Sequence, residues 1–574
     1  MKGRMQNGLW AVAGALGAVS LLWLQSATAA IAQAPIRWRA ASFDSVRGIV
    51  IQHNGRYKPL DSFAREALIT ISGEAHLGRL AASTRVVQPM VHAWPIDRED
   101  PVATLLSIMA EPERWQEVPL AAVPFMPLRE PLGLDPKTKY VSYNTLVSTR
   151  KLMRMLPPIV EKQQREEKLS ILENETMDMF QRFVALNALL EQKLELVPPS
   201  SGTGAWLPIL QPEGYTTEQQ RTFREQWTAL LTAVRGYDQH ALEVAGRRLA
   251  DTLERANPEA YPPIWRRRLE LFYNRFQPFY LARFFYFFAG LAFLIVVGHG
   301  RSRVDGWPAF FIGAGVHGAG IAARVIVGGR PPVSNFFETM LWLPFVAVVI
   351  SLILERVYRV RHIALAASLL AAITLTLADY VPLDASITPV VAVLRSNKWL
   401  TIHVLTVVDG YGALALATAL AHVYGWCYLQ RPDHPSLAAL SLSLYRTIQV
   451  GVVLLASGIM LGAVWANASW GRYWGWDPKE TWALITLLWF LAILHGRFAG
   501  WIRGVRLALS TIGGFFLLLM TYYGVSFYLV GLHSYAGGHA KPLPSLLVAY
   551  LIAEVAFLLA IGLAAMRRGA LASQ

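Results

Sequence analysis

The chain has 574 residues, a formal net charge of +14, and 54% hydrophobic residues. Residues 1–278 contain 62 Asp, Glu, Lys or Arg and residues 279–574 contain 30, and about ten of the excess positive charges fall in the second half. Basic residues between apolar runs are typical of membrane topology and do not indicate a nucleic-acid-binding face. Cys427 is the only cysteine, which excludes an intrachain disulfide and any CxxC or CxxCH motif.

The first 30 residues have the pattern of a targeting segment. Lys2 and Arg4 precede an apolar stretch at 9–24, and small residues follow it at 27–30. This order is typical of a secretory signal peptide, although the apolar stretch is close to the length of a short membrane span. We therefore predict a signal peptide or signal anchor over 1–30.

Residues 31–278 are predicted to form an N-terminal domain that is mostly helical. The stretches 160–196 and 217–256 are charged with helical periodicity, and a loop rich in Pro, Gly and Ser separates them at 198–214. The segment GIVIQHNGRYKPLDSFAREALITISG at 48–73 does not predict a particular chemical role. His53 within it is interpreted as a structural polar contact.

Residues 279–574 are predicted to form a membrane domain, because roughly 20 apolar residues are enough to cross a bilayer core. Runs of that kind lie near 279–298, 307–328, 336–354, 361–379, 402–428, 445–467, 478–496, 506–530 and 545–566. The predicted fold class is therefore an all-α polytopic membrane protein with about nine transmembrane helices after the N-terminal segment and domain.

Loop charge predicts the orientation of these spans. Basic residues concentrate in alternate loops and in the tail, at Arg301, Arg303, Arg356, Arg359, Arg361, Arg431, Arg446, Arg497, Arg503, Arg506, Arg567 and Arg568. The opposite loops hold about half as many. Since Lys and Arg are enriched on the cytoplasmic side, the arginine-rich loops are predicted to be cytoplasmic and the N-terminal domain extracytoplasmic.

His317 lies in the middle of the second predicted span, in GAGVHGAGIAAR. An ionisable side chain at that depth is a functional candidate, and the small neighbours would let a flat ligand or a helix approach closely. The structural alternative is a histidine hydrogen-bonded to a neighbouring helix. Arg324 and Asp409 are weaker candidates, and Asp409 and Glu554 can equally be polar groups of helix packing.

The loop between the sixth and seventh predicted spans is rich in tryptophan. The sequence WANASWGRYWGWDPKETW at 465–482 holds five of the 19 tryptophans in the chain. Trp and Tyr also collect at membrane surfaces for structural reasons. Five indoles in one loop instead favour a shelf of aromatic faces for a large planar ligand.

The end of this loop predicts the start of a helix. Asp477, Pro478 and Glu480 fit an N-cap, a first-turn proline and an acidic third position. Such a capped turn would hold the aromatic loop rigid.

Two histidines flank the loop in sequence and are predicted to lie on its side of the membrane. His403 is at the start of the fifth span in NKWLTIHV, and His533 follows the eighth span in GLHSYAGGHAKPLP. Each alone is more simply an interfacial polar group. Together they could supply two neutral imidazole nitrogens to an iron ion at the aromatic shelf.

Four segments together resemble a known family. The aromatic loop is similar to the WWD signature of heme-handling proteins of cytochrome c maturation. GRPPVSNFFETMLW at 329–342, WLTIHV at 399–404 and YYGVSFYLVGLHSYA at 522–536 are similar to the CcsA/ResC branch, the membrane subunit of the system II cytochrome c synthase. The resemblance covers most of 279–566. It implies an unfused form, in which the CcsB/ResB-type partner is a separate chain, with a large N-terminal extension at 31–278.

The resemblance implies a role for each matching residue. His403 and His533 would be axial ligands of heme iron on the outer face. His317 would ligate heme iron within the membrane, together with a histidine of a CcsB/ResB-type partner subunit. No further catalytic residue is assigned, because the protein would act by positioning heme b. The platform for the porphyrin would consist of Trp465, Trp470, Trp474, Trp476 and Asp477.

The resemblance further implies a cytochrome c synthase, or heme lyase, that acts in the cytoplasmic membrane as a complex with that partner. It would attach heme to the CxxCH thiols of an apocytochrome c, which a thiol-reducing protein would keep reduced. One alternative is a conduit that delivers heme to a separate ligase. A more remote alternative is a transporter or a b-type electron carrier.

Overall fold

The computed structural model describes residues 43–76, 100–165, 167–299, 305–358, 361–380, 383, 385–389, 398–529, 531–532 and 544–569. The signal segment predicted at 1–30 lies outside these residues.

The N-terminal domain is mostly helical, as predicted, with three short antiparallel strand pairs added. Its α-helices are Asp44–Arg47, Leu60–Ser72, Pro101–Ala110, Pro112–Trp115, Met126–Arg129, Tyr143–Thr149, Lys151–Gln164, Ile171–Leu190, Thr217–Arg235, Gln239–Ala256 and Ile264–Phe276, and a 3-10 turn covers Pro258–Ala260. Its antiparallel strand pairs are Val50–His53 with Arg56–Pro59, Pro119–Ala122 with Tyr140–Ser142, and Glu195–Val197 with Leu207–Pro208.

The two stretches predicted to be helical are helical, but a capping residue divides each of them. Ser170 accepts a hydrogen bond from the backbone N–H of Glu173, and the Glu173 carboxylate accepts one from the Ser170 N–H. Asp238 caps the helix that begins at Gln239 in a similar way, through the N–H of Ala241. Because each cap satisfies orphan amides at a new helix start, the chain can turn there at little cost.

The segment at 48–73 forms a hairpin and a helix that carry a buried charge network. Lys58 is fully buried and pairs with Glu66. Arg56 donates two hydrogen bonds to Glu270, at 2.8 and 2.7 Å, and the Ser62 hydroxyl donates a third at 2.6 Å. Glu270 belongs to the helix Ile264–Phe276, called here the juxtamembrane helix. This network therefore attaches the hairpin to the helix that leads into the membrane.

Asp61 is joined to this network through Asn274, which donates to both Asp61 and Ser62, and its contribution to stability depends on pH. Burial alone would raise the pKa of Asp61, but the neighbouring Arg65 and Arg47 outweigh burial, so its pKa lies below the ordinary value. A carboxyl group with a lowered pKa stabilises the fold above its unfolded pKa of about 3.9 and loses that contribution as the pH falls below it. Asp61 is thus expected to contribute at neutral pH and to cease contributing in acid.

The membrane domain confirms the predicted spans. Nine helices among the described residues are long and apolar enough to cross a bilayer. They are Pro278–His299, Trp307–Gly328, Phe336–Tyr358, His362–Tyr380, Lys398–Gln430, Leu437–Trp470, Pro478–Phe498, Val505–Tyr528 and Ser545–Arg567, called the first to ninth spans. The fifth and sixth helices have 33 and 34 residues. At 1.5 Å per residue they are about 50 Å long and extend beyond a bilayer core.

The N-terminal domain rests on one end of this bundle. Arg266 of the juxtamembrane helix donates to the carbonyl oxygen of Val327 at 2.6 Å, near the end of the second span. Arg324 donates to the hydroxyl of Tyr273 at 3.2 Å. Because successive spans alternate in direction, the aromatic loop after the sixth span lies on the same face as this domain.

The fifth and sixth helices approach each other closely at glycines. A side chain on Gly458 would place its Cβ 2.9 Å from the backbone N and Cα of Val407. A side chain on Gly410 would place its Cβ 2.8 Å from the backbone N of Leu455. Only glycine permits such backbone contact, which is a common way for membrane helices to associate.

We expect Glu270→Gln to destabilise the N-terminal domain by roughly 3 kcal/mol, because it leaves the largely buried side chain of Arg56, which is 10% exposed, without its main anionic partner. Urea-dependent proteolysis of the full-length protein in detergent would measure the change. Glu243→Gln is the control, since its pair with Arg247 is exposed and worth about 0.3–0.5 kcal/mol. Equal shifts of the two variants would contradict the prediction.

Candidate functional site

His403 occupies a slot between the fifth and sixth helices. Its Nδ1 lies 2.7 Å from the carbonyl oxygen of Gly458. Gly462 provides the space, since a Cβ at that position would lie 2.5 Å from His403 Cε1. A carbonyl oxygen only accepts, so Nδ1 carries the hydrogen, and the lone pair of the neutral ring is on Nε2. This is the arrangement in which metal-binding histidines are usually held.

Trp465 connects His403 to the aromatic loop. The two rings are nearly parallel, at an interplanar angle of 13° with centroids 6.1 Å apart. Trp470 meets Trp465 edge to face at 4.6 Å. Trp465 is buried, with 4% of its surface exposed, so it forms the inner wall of the aromatic cluster.

The outer part of the loop presents its aromatic side chains to the surroundings. Trp474 and Trp476 form a second edge-to-face pair at 5.8 Å and 89°. Trp476 is 70% exposed and Tyr473 62% exposed. Trp476 also has a positive φ of 56°, an uncommon conformation for a large residue that a rigid surrounding structure must maintain. The tryptophans therefore form two pairs, and not one coplanar shelf.

Asp477 and Glu480 supply that rigidity, as predicted. Asp477 caps the seventh span by accepting from the N–H of Lys479 at 2.9 Å, and Glu480 completes a capping box. The Glu480 carboxylate accepts from the N–H of Gly475 at 2.8 Å and of Asp477 at 3.2 Å. The loop is thus tied to the helix that follows it.

The second oxygen of Asp477 holds the chain that follows the eighth span. It accepts a hydrogen bond from the N–H of Leu532 at 2.6 Å. His533, the next residue, lies outside the described residues, so its predicted role stays a prediction. Leu532, which precedes it in the chain, is hydrogen-bonded to Asp477 of the aromatic loop.

Lys479 makes a contact that the sequence analysis did not predict. Its ammonium group donates to the carbonyl oxygen of Tyr522 at 3.1 Å and to the hydroxyl of Ser526 at 2.9 Å. Tyr522 belongs to a π-helical segment at Met520–Gly524 within the eighth span. Such segments are often found at functional sites, and no sequence pattern signals this one. Lys479 therefore holds the eighth span itself, and Asp477 holds the chain just after it.

His317 is enclosed in the core of the membrane domain, where its side chain has no exposed surface. Its Nδ1 lies 3.3 Å from the Tyr286 hydroxyl and its Nε2 lies 3.0 Å from the carbonyl oxygen of Leu341. Phe279 and Phe345 pack against the ring in edge-to-face arrangements, with centroids 5.6 and 5.3 Å away. This is the geometry of the structural alternative, and the assignment as an iron ligand stays a prediction.

The other intramembrane polar candidates have structural partners. Arg324 pairs with Glu338 at 2.9 Å, and Asp409 accepts from the indole N–H of Trp342 at 2.7 Å. Glu554 pairs with His422 at 2.9 Å. Each contact joins two different spans, as expected for polar groups of helix packing.

A family of known proteins matches the part of the chain that holds most of the candidate site residues. Residues 333–533 match the model of a family described as cytochrome C assembly protein. This range includes His403, the aromatic loop and His533, and it begins after His317.

Several curated proteins are similar to the chain. Protein NrfI of Wolinella succinogenes is 30% identical over 530 residues, which are 86% of this chain and 54% of NrfI, so the chain spans about half the length of NrfI. The cytochrome c biogenesis protein CcsA of Prochlorococcus marinus subsp. pastoris is 34% identical over 248 residues, 38% of this chain and 78% of that protein. CcsA of a Synechococcus species is 34% identical over 240 residues, 36% of this chain and 78% of that protein.

We expect Asp477→Ala to increase the hydrogen exchange of the Leu532 amide and to destabilise the start of the seventh span by about 1 kcal/mol, because one side chain supplies both contacts. Asp477→Asn separates these effects, since its single oxygen can still cap the helix. Exchange at Leu532 should rise in both variants, whereas exchange at Lys479 should rise only in the alanine variant. Unchanged exchange at Leu532 in both would contradict this assignment.

Proposed function

Because this chain belongs to the CcsA family of cytochrome c biogenesis proteins, we propose that it presents heme at the face of the membrane that carries the N-terminal domain and promotes its covalent attachment to apocytochrome c. Its role in cytochrome c assembly and its multi-pass membrane architecture follow from the family and from the apolar helices. Heme ligation, attachment activity and orientation are the proposed part.

One observation carries the proposal: the geometry of His403. The carbonyl oxygen of Gly458 holds its Nδ1–H, so the lone pair of the ring lies on Nε2, the atom that would bind iron. The parallel indole of Trp465 limits the rotation of the ring. An axial ligand of heme needs this combination of a neutral imidazole and a fixed orientation.

The aromatic loop and the segment before His533 would complete the site. The exposed indole of Trp476 and the half-buried indole of Trp474 would contact the porphyrin, since indoles offer large apolar surfaces to planar ligands. The bond from Leu532 to Asp477 places the residue before His533 at the same loop. His533 is therefore proposed as the second axial ligand.

The reaction proposed for this site is the addition of a thiol across a heme vinyl group. Sulfur bonds to one vinyl carbon and hydrogen to the other, so no net oxidation or reduction occurs. Each CxxCH thiol must be reduced and close to its vinyl group, and a thiol-reducing protein is the proposed source of that reduction. The protein would contribute chiefly by orienting heme b and by excluding other geometries.

A CcsB/ResB-type membrane subunit is the proposed partner, and the cytoplasmic membrane is the proposed location, with the N-terminal domain outside. His317 would contribute to heme passage through the membrane. To bind iron through Nε2 it would have to release the carbonyl oxygen of Leu341. We therefore propose that ligation at His317 requires a rearrangement of the second and third spans.

Covalent attachment tests the proposal directly. The chain and a CcsB-type partner are co-expressed with a CxxCH reporter in a host without other maturation genes, and heme on the denatured reporter is stained. We expect His403→Ala to lower the yield at least about tenfold, because even loss of a hydrogen bond to a metal ligand costs roughly 10–100-fold in affinity. His434→Ala, in the loop between the fifth and sixth spans, should have no effect.

The same experiment distinguishes heme attachment by this protein from the function of a heme conduit or of a redox carrier. A reporter that stays colourless while the purified complex carries heme would favour delivery to a separate ligase. A stable low-spin spectrum with oxidoreductase activity and no apocytochrome would favour a redox carrier.

Gly462→Ala tests the histidine slot without changing a ligand. The added methyl group would lie 2.5 Å from His403 Cε1 and 2.8 Å from Nδ1, so the ring must move away from residue 462, and its hydrogen bond to Gly458 is disturbed. We expect heme bound to the purified complex to fall about tenfold, the effect of losing such a hydrogen bond. Gly562→Ala in the ninth span is the matched control, since no atom lies within 4 Å of its added Cβ. Full heme occupancy in Gly462→Ala would contradict the proposal that Gly462 holds His403 in the position needed to bind heme.

A further inference from the structure

The juxtamembrane helix lies at the level where the first two spans end. Its last residue, Phe276, is separated from the first span only by Gln277, whose left-handed backbone, with φ 46° and ψ 62°, turns the chain. Near its other end, Arg266 contacts the carbonyl oxygen of Val327 at the end of the second span. The helix has 13 residues and is about 20 Å long. Because both ends are close to the ends of spans, the helix runs along the membrane surface.

One face of this helix binds the N-terminal domain. Glu270 accepts hydrogen bonds from Arg56 and Ser62. Asn274 donates to Asp61 at 3.0 Å and to Ser62 at 2.8 Å. This face therefore points away from the bilayer, toward the domain that lies outside it.

The opposite face is aromatic and exposed. Trp265 and Phe272 are each 58% exposed and Phe276 is 41% exposed. At 100° per residue these three side chains lie about 160° around the axis from Glu270 and Asn274. Phe272 and Phe276 stack on each other with centroids 5.1 Å apart. Since the domain covers the outward face, the aromatic face points toward the bilayer.

Two basic side chains accompany the aromatic face. Arg268 and Arg275 are both exposed and lie about 70° around the helix axis from the aromatic residues. A helix in the interfacial plane typically has this arrangement, with aromatic residues at the acyl boundary and Arg near lipid phosphates.

We propose that the juxtamembrane helix is a lipid-binding element of the leaflet next to the N-terminal domain. Trp265, Phe272 and Phe276 enter the boundary between headgroups and acyl chains, and Arg268 and Arg275 bind phosphate groups, with a preference for anionic lipids. The bilayer thereby fixes the helix on which the N-terminal domain rests. This inference is independent of heme binding.

Site-directed labelling in nanodiscs tests the proposal on the full-length chain. Cys427 is the only cysteine in the sequence and is buried, and it is replaced by serine. A cysteine introduced by Phe272→Cys is then labelled with an environment-sensitive fluorophore. We expect a blue-shifted emission and strong quenching by phosphatidylcholine spin-labelled near the headgroup. The control is Arg221→Cys on the helix Thr217–Arg235, an exposed position of the N-terminal domain that should not be quenched.

The outcomes are distinct. Quenching at Phe272→Cys no greater than at the control would overturn the proposal. A blue-shifted emission without quenching would also overturn it, because protein, such as a second copy of the chain, would then cover this face. Spin-labelled phosphatidylglycerol should quench at least about twofold more than spin-labelled phosphatidylcholine. The double variant Arg268→Gln/Arg275→Gln should abolish that difference, and an equal difference with and without the two arginines would refute their role.

Discussion

The backbone contact between the fifth and sixth helices is the constraint on which the proposed heme site depends. Gly458 lets the two helices approach closely, and its carbonyl oxygen also accepts the Nδ1–H of His403. One residue therefore determines both the helix spacing and the tautomer of the histidine. Gly462, one turn further along the sixth helix, provides the space for the ring. A bulkier residue at either position would separate the helices or displace the imidazole.

On the other side of the aromatic loop, Asp477 and Lys479 fix the seventh and eighth spans relative to the loop. Asp477 caps the seventh span with one oxygen and holds Leu532 with the other, while Lys479 binds the π-helical part of the eighth span. The loop, the start of the seventh span and the end of the eighth span thus form one connected unit. A tryptophan-rich loop with a left-handed residue at Trp476 can keep its shape because these polar contacts surround it.

The N-terminal domain is joined to the membrane domain through polar contacts on one helix. Glu270 and Asn274 bind the domain, and Arg266 and Tyr273 contact the second span. A helix that contacts both parts transmits the position of one to the other. If its aromatic face also lies in the lipid, the bilayer helps to fix the position of the N-terminal domain relative to the membrane domain.

Hydrophobic length and capping are local properties, and for that reason the sequence alone determined the nine spans, the helical character of the N-terminal domain and the capping box at Asp477. The hairpin in the segment at 48–73 was not predicted, because four-residue strands among charged residues leave no alternating pattern. Only the tertiary structure decided the state of His403, since its hydrogen-bond acceptor Gly458 is 55 residues away. The contact of Asp477 with Leu532 likewise joins residues 55 positions apart. Sequence patterns describe neighbours along the chain, whereas these contacts depend on how separate helices pack.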